Sequence, residues 1–395
     1  MSVHSRRRFL ATGGAAGIAA AARPSLAQVL PRPPQQQFGR EVVIGVCAPL
    51  SGDLAALGNQ LANGARQAVY ESNRLFGTLD RSFGLRTFDD QNTIVNGIMS
   101  AQFAGDDPSI VATVGHLNAS VTKAALSQYA NAKMPLIVPA SSADIITSQG
   151  YRNVFRLPAK DSTEGSLFAR FLVSSARPVR SLALTQDGDY GRDVARGFTQ
   201  QMSAEKLPTD MITFAQHNPP FADVAQRVID AKADFVFLAG NSETMGPLLA
   251  VLRGAGYKGK IGASQGFFNA QTAARYAADF AGGLISTSMP PLDRVQSVND
   301  YLTDLRANYG EVTPVMAFGF AAAQIAVNAV RRTGAFDRLS LLRALTSGSY
   351  ESLVGTFSFG FNGDPLDPNL YFYAIDGGRF KYVTSAHSSS FLISP

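Results

Sequence analysis

The chain has 395 residues, of which 46% are apolar and 16% are charged. This length suits two domains better than one, and the composition is that of a soluble globular protein with a sizeable core. Residues 1–27 hold four of the 35 basic residues and no acidic one, so the remaining 31 basic residues face 30 acidic residues. A balance this close to neutral argues against nucleic acid as a partner.

The N-terminus has the pattern of an export signal. Ser5-Arg6-Arg7-Arg8-Phe9-Leu10 is a twin-arginine motif, and a weakly apolar Ala/Gly run to Ala22 follows it. Ser25-Leu26-Ala27 then offers small residues to a signal peptidase. We predict a signal peptide over residues 1–27, cleavage before Gln28 and a periplasmic mature protein. The apolar run is too short to cross a bilayer stably, and a membrane-spanning protein is not expected.

Strand and helix patterns alternate after a Pro/Gln-rich linker at residues 28–40. Nearly continuous apolar runs predict buried parallel strands, and apolar residues at helical spacing predict the helices between them. The first series contains predicted strands at Glu41–Cys47, Gly84–Phe88, Ile110–Gly115 and Leu136–Pro139, and predicted helices at Gly58–Asn73, Asn96–Gly105 and after each of two polar turns. The lone Cys47 is predicted to be a small core residue, since it has no disulfide partner.

A short extended segment, Asn153–Pro158, separates this series from a second one. The second series has predicted strands at Ser181–Thr185, Met211–Phe214, Phe235–Ala239 and Lys260–Ala263, with helices beginning near Asp161, Tyr190, Ala222 and Ser242. Strands separated by helices of about 10 to 15 residues predict βαβ units and a parallel sheet. The last part contains an isolated strand at Gly283–Ser288, helices at Val295–Asn308, Val315–Arg332 and Leu339–Thr346, a strand at Thr356–Phe361, and a hairpin of Leu370–Asp376 and Arg379–Val383.

The predicted fold class is therefore α/β, with two doubly wound parallel-sheet lobes joined by a hinge of three crossings. Helices that follow a completed second sheet must pack elsewhere, so we expect the chain to cross back to the first lobe and then return. On this prediction lobe 1 comprises residues 41–156 and 288–352, and lobe 2 comprises residues 157–287 and 353–384. A tail, 385–395, completes the chain.

Two polar turns of lobe 1 are the predicted centre of a ligand site. In an open α/β sheet, ligands bind at the carboxyl ends of strands, where helix N-termini present free N–H groups. Asn118 and Ser120 follow one such strand, and Ser141 and Ser142 follow the next. Together they predict an anion-binding cradle. Ordinary helix N-capping is the alternative for either turn taken alone.

The chain resembles the type I periplasmic solute-binding proteins of the leucine/isoleucine/valine-binding kind, which are receptor subunits of ATP-driven importers. The resemblance covers essentially the whole mature chain and depends on the order and spacing of several segments. These are VVIGVCAPLSGDLAALGNQLANGARQAV (42–69), Asp89-Asp90, VGHLNASVT (114–122), PLIVPASSADIIT (135–147), GDYGRDVARGF (188–198) and DFVFLAG (234–240). It implies a monomeric receptor for a small molecule, with a permease and its ATPase subunits as partners, no cofactor, no metal and no enzymatic activity.

The resemblance also implies site residues. In the family, the two lobe 1 turns hold a ligand carboxylate, an aromatic residue of lobe 2 covers the ligand, and an acid of lobe 2 receives the ligand ammonium. The corresponding residues here are Ala119, Ser120, Ala140, Ser141 and Ser142 in lobe 1, and Tyr190, Asn241 and Gln265 in lobe 2.

Three positions of this chain depart from the pattern of the family's amino acid binders. Gln265 stands where the acid is expected, and Leu57 and Asn241 stand at aromatic positions. A buried cation needs a full counter-charge, so we expect a carboxylate or amide ligand, aliphatic or aromatic, in preference to a branched-chain amino acid. An inward-facing Asp187 or Asp189 would supply the missing charge, and the sequence leaves this open.

Two further function classes have weaker support. Gly262–Gly266 (GASQG) matches the G-x-S-x-G motif of serine hydrolases, but the only histidine after Ser264 is His387 in a Ser-rich tail, so we predict that the protein is not an enzyme. The four histidines and one cysteine show no metal-ligand spacing. His116, in the first turn, is predicted to be capped or solvated, with contact to the ligand as the alternative. A ligand sensor of the same fold that docks on a membrane receptor is the alternative function.

Overall fold

The computed structural model describes residues 39–76, 81–207, 209–280, 282–294 and 299–388. The predicted signal peptide, its cleavage site and the linker up to residue 38 lie outside these ranges. Within them, strands and helices alternate as the hydrophobic periodicity predicts.

Lobe 1 begins with five strands and four helices. The strands are β1 (Gly39–Ala48), β2 (Arg81–Asp89), β3 (Ile110–Gly115), β4 (Leu136–Val138) and β5 (Val154–Arg156), and the helices are α1 (Ala55–Phe76), α2 (Ile94–Asp106), α3 (Ala119–Asn131) and α4 (Ile145–Ser148). The strands pair in parallel in the order β2-β1-β3-β4-β5. The first strand begins inside the predicted linker (28–40), because Gly39 already pairs with Arg81 of β2.

Lobe 2 follows with the same alternation. Its strands are β6 (Ser181–Gln186), β7 (Thr209–Phe214), β8 (Phe235–Ala239), β9 (Lys260–Ala263) and β10 (Leu284–Thr287), and its helices are α5 (Asp161–Ala176), α6 (Asp189–Ala204), α7 (Phe221–Asp230), α8 (Ser242–Gly254) and α9 (Ala270–Tyr276). A short 3-10 helix, Gln265–Phe267, follows β9. The strand predicted to be isolated is a member of this sheet, since Ile285 of β10 pairs in parallel with Ala263 of β9.

The chain then returns to lobe 1 and crosses once more to lobe 2. The returning elements are α10 (Asn299–Tyr309), α11 (Pro314–Thr333), α12 (Arg338–Ser347), β11 (Ser349–Ser352) and β12 (Gly355–Ser358), followed by β13 (Asn369–Asp376) and β14 (Arg379–His387). The last two strands complete a seven-stranded sheet in the order β14-β13-β10-β9-β8-β6-β7, with β13 antiparallel to both neighbours. The predicted α/β class with two parallel-sheet lobes is confirmed.

The third crossing lies later in the chain than the sequence predicts. Residues from 353 onward are predicted in lobe 2, but Leu353, Phe357 and Phe359 are buried in the lobe 1 core. The carbonyl of Gly363 also accepts a hydrogen bond from the Arg156 backbone N–H at 2.9 Å. The β11–β12 hairpin carries Leu353 and Phe357 against lobe 1. The sequence analysis predicted its second strand, as Thr356–Phe361, but not β11 or the pairing of the two strands. The strand β14 likewise includes the first three residues of the predicted tail (385–395).

Strand side chains are buried on both faces of each sheet. In β1, Ile44 and Val46 join one apolar cluster while Val43 and Cys47 join another. This is why the strands are continuous apolar runs and not alternating patterns. Cys47 is a buried free cysteine, so its predicted place in the core is confirmed.

The helices α1 and α11 pack closely on one face of lobe 1. Gly64 of α1 lies against the Met316 carbonyl, and Gly319 of α11 lies against the Leu61 carbonyl, where a side chain would not fit. Within the described ranges, α11 is the one helix whose length and composition would allow it to cross a membrane, and most of it is buried. It is a core helix of lobe 1.

Candidate functional site

The turn after β4 is one of the places where lobe 1 touches lobe 2, and it contains three of the predicted ligand-binding residues. Nε2 of Gln265, in lobe 2, donates a hydrogen bond to Oγ of Ser142 at 3.3 Å. Oδ1 of Asp144 accepts one from the Ser162 backbone N–H at 3.0 Å, and Oδ2 of Asp144 lies 3.7 Å from the Arg196 guanidinium. Residues of lobe 2 therefore contact this turn of lobe 1, and a ligand site between the lobes requires such contacts.

Tyr190, at the start of α6, is connected to two loops of lobe 2. Its hydroxyl donates to Oγ of Ser264 at 3.1 Å and accepts from the Gly266 backbone N–H at 3.0 Å. Oγ of Ser264 in turn donates to the Gly240 carbonyl and accepts from the Gly240 N–H, both at 3.1 Å. These bonds join α6 to the loops after β8 and β9, and they hold Tyr190 beside Gln265.

The other predicted site residues lie outside the hydrogen bonds that involve Ser142, Tyr190 and Gln265. Ser120 is exposed on the first turn of α3, while Ala119 packs against the lobe 1 core. Ala140 is half-buried, and Asn241 is exposed at the N-cap of α8. The structure thus joins Ser142, Tyr190 and Gln265 through short contacts. Among the described residues, no hydrogen bond joins Ser120 to lobe 2.

Two acidic residues of α5 also belong to this site, and the sequence analysis did not identify them. Asp161 and Glu164 are each 1% exposed. The Asp161 backbone N–H donates to the Ser142 carbonyl at 3.0 Å. Oε1 of Glu164 accepts from the Gln265 backbone N–H at 2.6 Å and from the Ser286 hydroxyl at 2.8 Å. The available sequence signal was an Asp and a Glu in the first turn of a helix, which usually indicates only a favourable interaction with the helix dipole.

Burial raises the pKa of three side chains at this site, Glu164, Asp161 and Tyr190. It raises the pKa of Glu164 from 4.5 to about 7, against the hydrogen bonds from Ser286 and the Gln265 backbone. It also raises the pKa of Asp161 well above its usual value. The nearby Ser142 hydroxyl and the charge of Arg156 oppose this shift, and the charges of Glu164 and Asp144 add to it. The pKa of Tyr190 is raised by burial and then by these two carboxylates. The three groups are therefore close enough to influence one another's charge.

The nearest buried cation, Arg156, is occupied by other partners. Its NH1 group donates to the carbonyls of Ser142 and Ala143, at 2.8 and 2.6 Å. Its Nε donates to Asp364 at 3.0 Å, and its NH2 group donates to Asp364 and to the Thr147 hydroxyl. All five guanidinium N–H groups are thus used. Arg156 fixes the turn after β4 but forms no hydrogen bond with Asp161.

His116 is neither capped nor solvated as predicted, because it is fully buried at the end of β3. Nδ1 of His116 lies 2.7 Å from Oδ2 of Asp90, and Nε2 lies 2.9 Å from the Tyr129 hydroxyl. The tautomer with its proton on Nδ1 donates to Asp90 and accepts from the Tyr129 hydroxyl at Nε2. Burial also raises the pKa of the neighbouring Cys47 thiol to about 12. This group packs under the first turn and holds its start in place.

The G-x-S-x-G match has the predicted strand-to-helix context but not a nucleophile's surroundings. Ser264 is fully buried, and its hydroxyl is bonded to Tyr190 and Gly240 as described above. Of the histidines in the described ranges, His116 is bound to Asp90 and Tyr129, and His217 is exposed. His387, which the sequence analysis placed in the tail, is the last residue of β14 and pairs with Asn369 of β13. A catalytic serine requires a base within hydrogen-bond reach.

In the described part of the chain, no group of three or more His, Cys, Asp or Glu residues is placed to hold a metal ion. Asp187 is exposed and forms an ion pair with Arg192. Leu57, at a position where the family has an aromatic residue, is 39% exposed on α1.

Comparisons with known sequences agree with the two-lobed fold. A Leu/Ile/Val-binding protein of Citrobacter freundii is 25% identical over 331 residues, which are 83% of this chain and 89% of that protein. A Leu/Ile/Val-binding protein of Rhizobium johnstonii is 25% identical over 345 residues, 86% of this chain and 93% of that protein.

Solved structures of similar proteins share the same fold. A leucine-binding protein from Thermotoga maritima has a TM-score of 0.75 at 20% identity, covering 88% of this chain and 99% of that one. A solute-binding protein of an ABC transporter from Rhodopseudomonas palustris, in complex with 3,4-dihydroxybenzoic acid, has a TM-score of 0.73 at 18% identity, covering 88% and 97%. The family model described as "Periplasmic binding protein" matches residues 41–379. The chain therefore belongs to the periplasmic binding protein family, among the type I substrate-binding proteins of branched-chain amino acid ABC transporters.

Proposed function

We propose that this protein is the receptor subunit of an ABC importer and that it captures a small carboxylate-bearing ligand between its two lobes. The observation that carries the proposal is the contact of Ser142 with Gln265, since it joins a predicted anion-binding turn of lobe 1 to a predicted ligand-binding loop of lobe 2. A ligand carboxylate at this turn would accept a hydrogen bond from the Ser142 hydroxyl, whose oxygen accepts one from Gln265, and would be covered by Tyr190. The N–H groups of the turn and a small hydroxyl suit an anion.

The relatives do not choose among ligand types for this chain. The relatives from Citrobacter and Rhizobium are named for leucine, isoleucine and valine, while the Rhodopseudomonas protein holds an aromatic acid. We therefore propose the wider class of amino acids, aliphatic or aromatic acids, or amides. Ala119, Ser120, Ala140, Ser141 and Asn241 are the further proposed contacts.

Two substitutions test the site. Ser142→Ala and Tyr190→Ala should each weaken binding of the best ligand from a thermal-shift screen without unfolding the protein. Loss of one charge-assisted hydrogen bond costs about 1.5 to 3 kcal/mol, or roughly ten- to a hundredfold in affinity. Calorimetry measures this, and Ser127→Ala, an exposed serine of α3, is the matched control. Unchanged affinity in both site variants would mean that the ligand binds elsewhere.

The partner and the export route are also proposals. Proteins of this family are periplasmic, and the twin-arginine motif favours export in the folded state. N-terminal sequencing of periplasmic protein should give Gln28, and changing Arg6 and Arg7 to Lys should leave the precursor in the cytoplasm. Membrane vesicles that contain the permease and ATPase encoded by neighbouring genes should take up the ligand only when this protein is added. Binding to a membrane receptor without uptake would favour the sensor alternative.

A further inference from the structure

We propose that the exposed face of α2 is the interface of a homodimer, in which α2 of one copy packs antiparallel against α2 of a second copy. The resemblance of the sequence implies a monomer, so the two expectations differ. The proposed dimer does not depend on which ligand binds between the lobes.

The helix α2 has small side chains on its buried face and large apolar side chains on its exposed face. The buried residues are Gly97, Ser100, Ala101 and Ala104. The large apolar residues face solvent, with exposed fractions of 53% for Ile94, 66% for Val95, 44% for Met99 and 55% for Phe103. A surface helix normally turns its apolar stripe towards the core. Packing within lobe 1 therefore accounts for the small residues of α2 but not for the large ones.

These four large residues, the α2 patch, lie together on one side of the helix. Side chains that are four residues apart are neighbours on a helix surface, and Met99 follows Val95, and Phe103 follows Met99, at that spacing. In the described ranges no other element exposes four large apolar side chains. Single exposed apolar residues are normal, whereas contiguous patches mark interaction surfaces.

The shape of the α2 patch suits a copy of itself. Two adjacent rows of side chains run along the exposed face of the helix, Val95–Met99–Phe103 and Ile94–Ile98–Gln102. Rows with a spacing of four residues are ridges that pack into the grooves of another helix. In a twofold-symmetric interface both copies use the same surface, so the ridge of each copy can occupy the groove of the other.

Charge favours the antiparallel orientation of the two helices. Asp106, the last residue of α2, is its only charged residue and is exposed. A pairing centred on Met99 places the two copies of Asp106 about 20 Å apart at 1.5 Å per residue, which exceeds the Debye length of about 8 Å. Each Asp106 then lies beside the first turn of α2 in the other copy, which contains no acidic residue. A parallel pairing would bring the two carboxylates together.

The same lack of charge argues against two other occupants of the α2 patch. Helices that lie on membranes are rich in lysine and arginine on their polar face, and α2 contains neither. A strongly charged protein partner would find no complementary charge along the patch itself. An uncharged apolar surface fits best against another uncharged apolar surface, and a second copy supplies one.

The position of α2 leaves the lobes free to move in the dimer. The helix packs on α3 and on the strands β1, β2 and β3, all of which belong to lobe 1. The face of this 13-residue helix is about 20 Å long and 10 Å wide. A standard interface buries about 800 Å² on each partner, so a contact centred on one helix should give a dimer in exchange with the monomer, with a Kd in the micromolar range.

Sedimentation velocity of the mature protein tests whether a dimer forms. Over a concentration series up to about 100 µM, a hundred times a Kd of 1 µM, the mean mass should rise from that of one chain towards that of two. A mass of one chain throughout the series would refute the proposal. A monomeric wild type together with loss of vesicle uptake in Met99→Glu would assign the α2 patch to the permease instead.

Two double variants test whether α2 is the interface. Antiparallel pairing places Val95 of one copy opposite Phe103 of the other. Val95→Glu with Phe103→Glu, and Val95→Lys with Phe103→Lys, should therefore each be monomeric, because like charges then face each other. An equal mixture of the two variants should dimerise, because opposite charges face each other. Double variants that still dimerise alone, or a mixture that stays monomeric, would contradict the α2 interface.

Controls separate loss of the interface from loss of the fold. Leu339→Glu changes an exposed apolar residue on α12, another helix of lobe 1, and should dimerise as wild type does. The substituted residues of α2 are exposed, so their variants should keep the circular dichroism spectrum and Tm of the wild type monomer. Met99→Glu and Met99→Lys, at the centre of the pairing, replace the double variants if those do not fold, with the same expected and refuting results.

Discussion

The buried position of Glu164 predicts how stability depends on pH. The pKa of this carboxyl rises from 4.5 to about 7 on folding because it is removed from water. The folded protein then keeps the proton up to about pH 7, whereas the unfolded chain releases it near pH 4.5. The free energy of unfolding must therefore fall as the pH rises from 4.5 to 7.

The size of the effect follows from the same two values. Each tenfold change in proton affinity is worth about 1.4 kcal/mol, so Glu164 alone should remove about 3 kcal/mol of stability between pH 4.5 and 7. Asp161, whose pKa is also raised, acts in the same direction. The lowered pKa values of Asp89 and Asp337 act below pH 4 and do not affect this window.

Urea unfolding of wild type and Glu164→Gln at several pH values tests this reasoning. The amide oxygen of Gln can still accept the hydrogen bonds of Ser286 and the Gln265 backbone, so the variant should lose the Glu164 part of the pH dependence and keep the fold. Circular dichroism suits the measurement because the chain has no tryptophan. Glu243→Gln, an exposed acid in the first turn of α8, is the control. An equal fall of stability in wild type and Glu164→Gln would refute the argument.

Three further predictions concern other residues. Ser264 should remain unlabelled by a fluorophosphonate probe, and stoichiometric labelling that Ser264→Ala abolishes would revive the hydrolase hypothesis. Arg156→Leu should cost about 3 to 5 kcal/mol in urea unfolding, because it leaves Asp364 and the turn after β4 without their partner; an unchanged midpoint would contradict this. Gly64→Ala should cost about 1 to 3 kcal/mol by forcing α1 away from the Met316 carbonyl, and a stability equal to wild type would show that the two helices can separate freely.

The sequence alone predicted the two lobes, since their evidence is local. The continuous apolar runs at Phe235–Ala239 and Lys260–Ala263 match β8 and β9 at the observed bounds. The periodicity of Val315–Arg332 likewise predicted α11 to within one residue at each end. Such patterns depend on which faces of an element are buried, and that can be read within one element.

The tertiary structure decided the features that depend on contacts between distant segments. Leu353 and Phe357 are apolar residues that would suit the core of either lobe, so only packing shows that the third crossing comes after them. His116 looks like a turn residue in the sequence, but Asp90 and Tyr129 enclose it. Asp161 and Glu164 have the usual pattern of a helix N-terminus. Glu164 is bonded to Gln265 and Ser286, which lie more than 100 positions later in the chain, and a sequence has no local signal for burial that arises from such distant contacts.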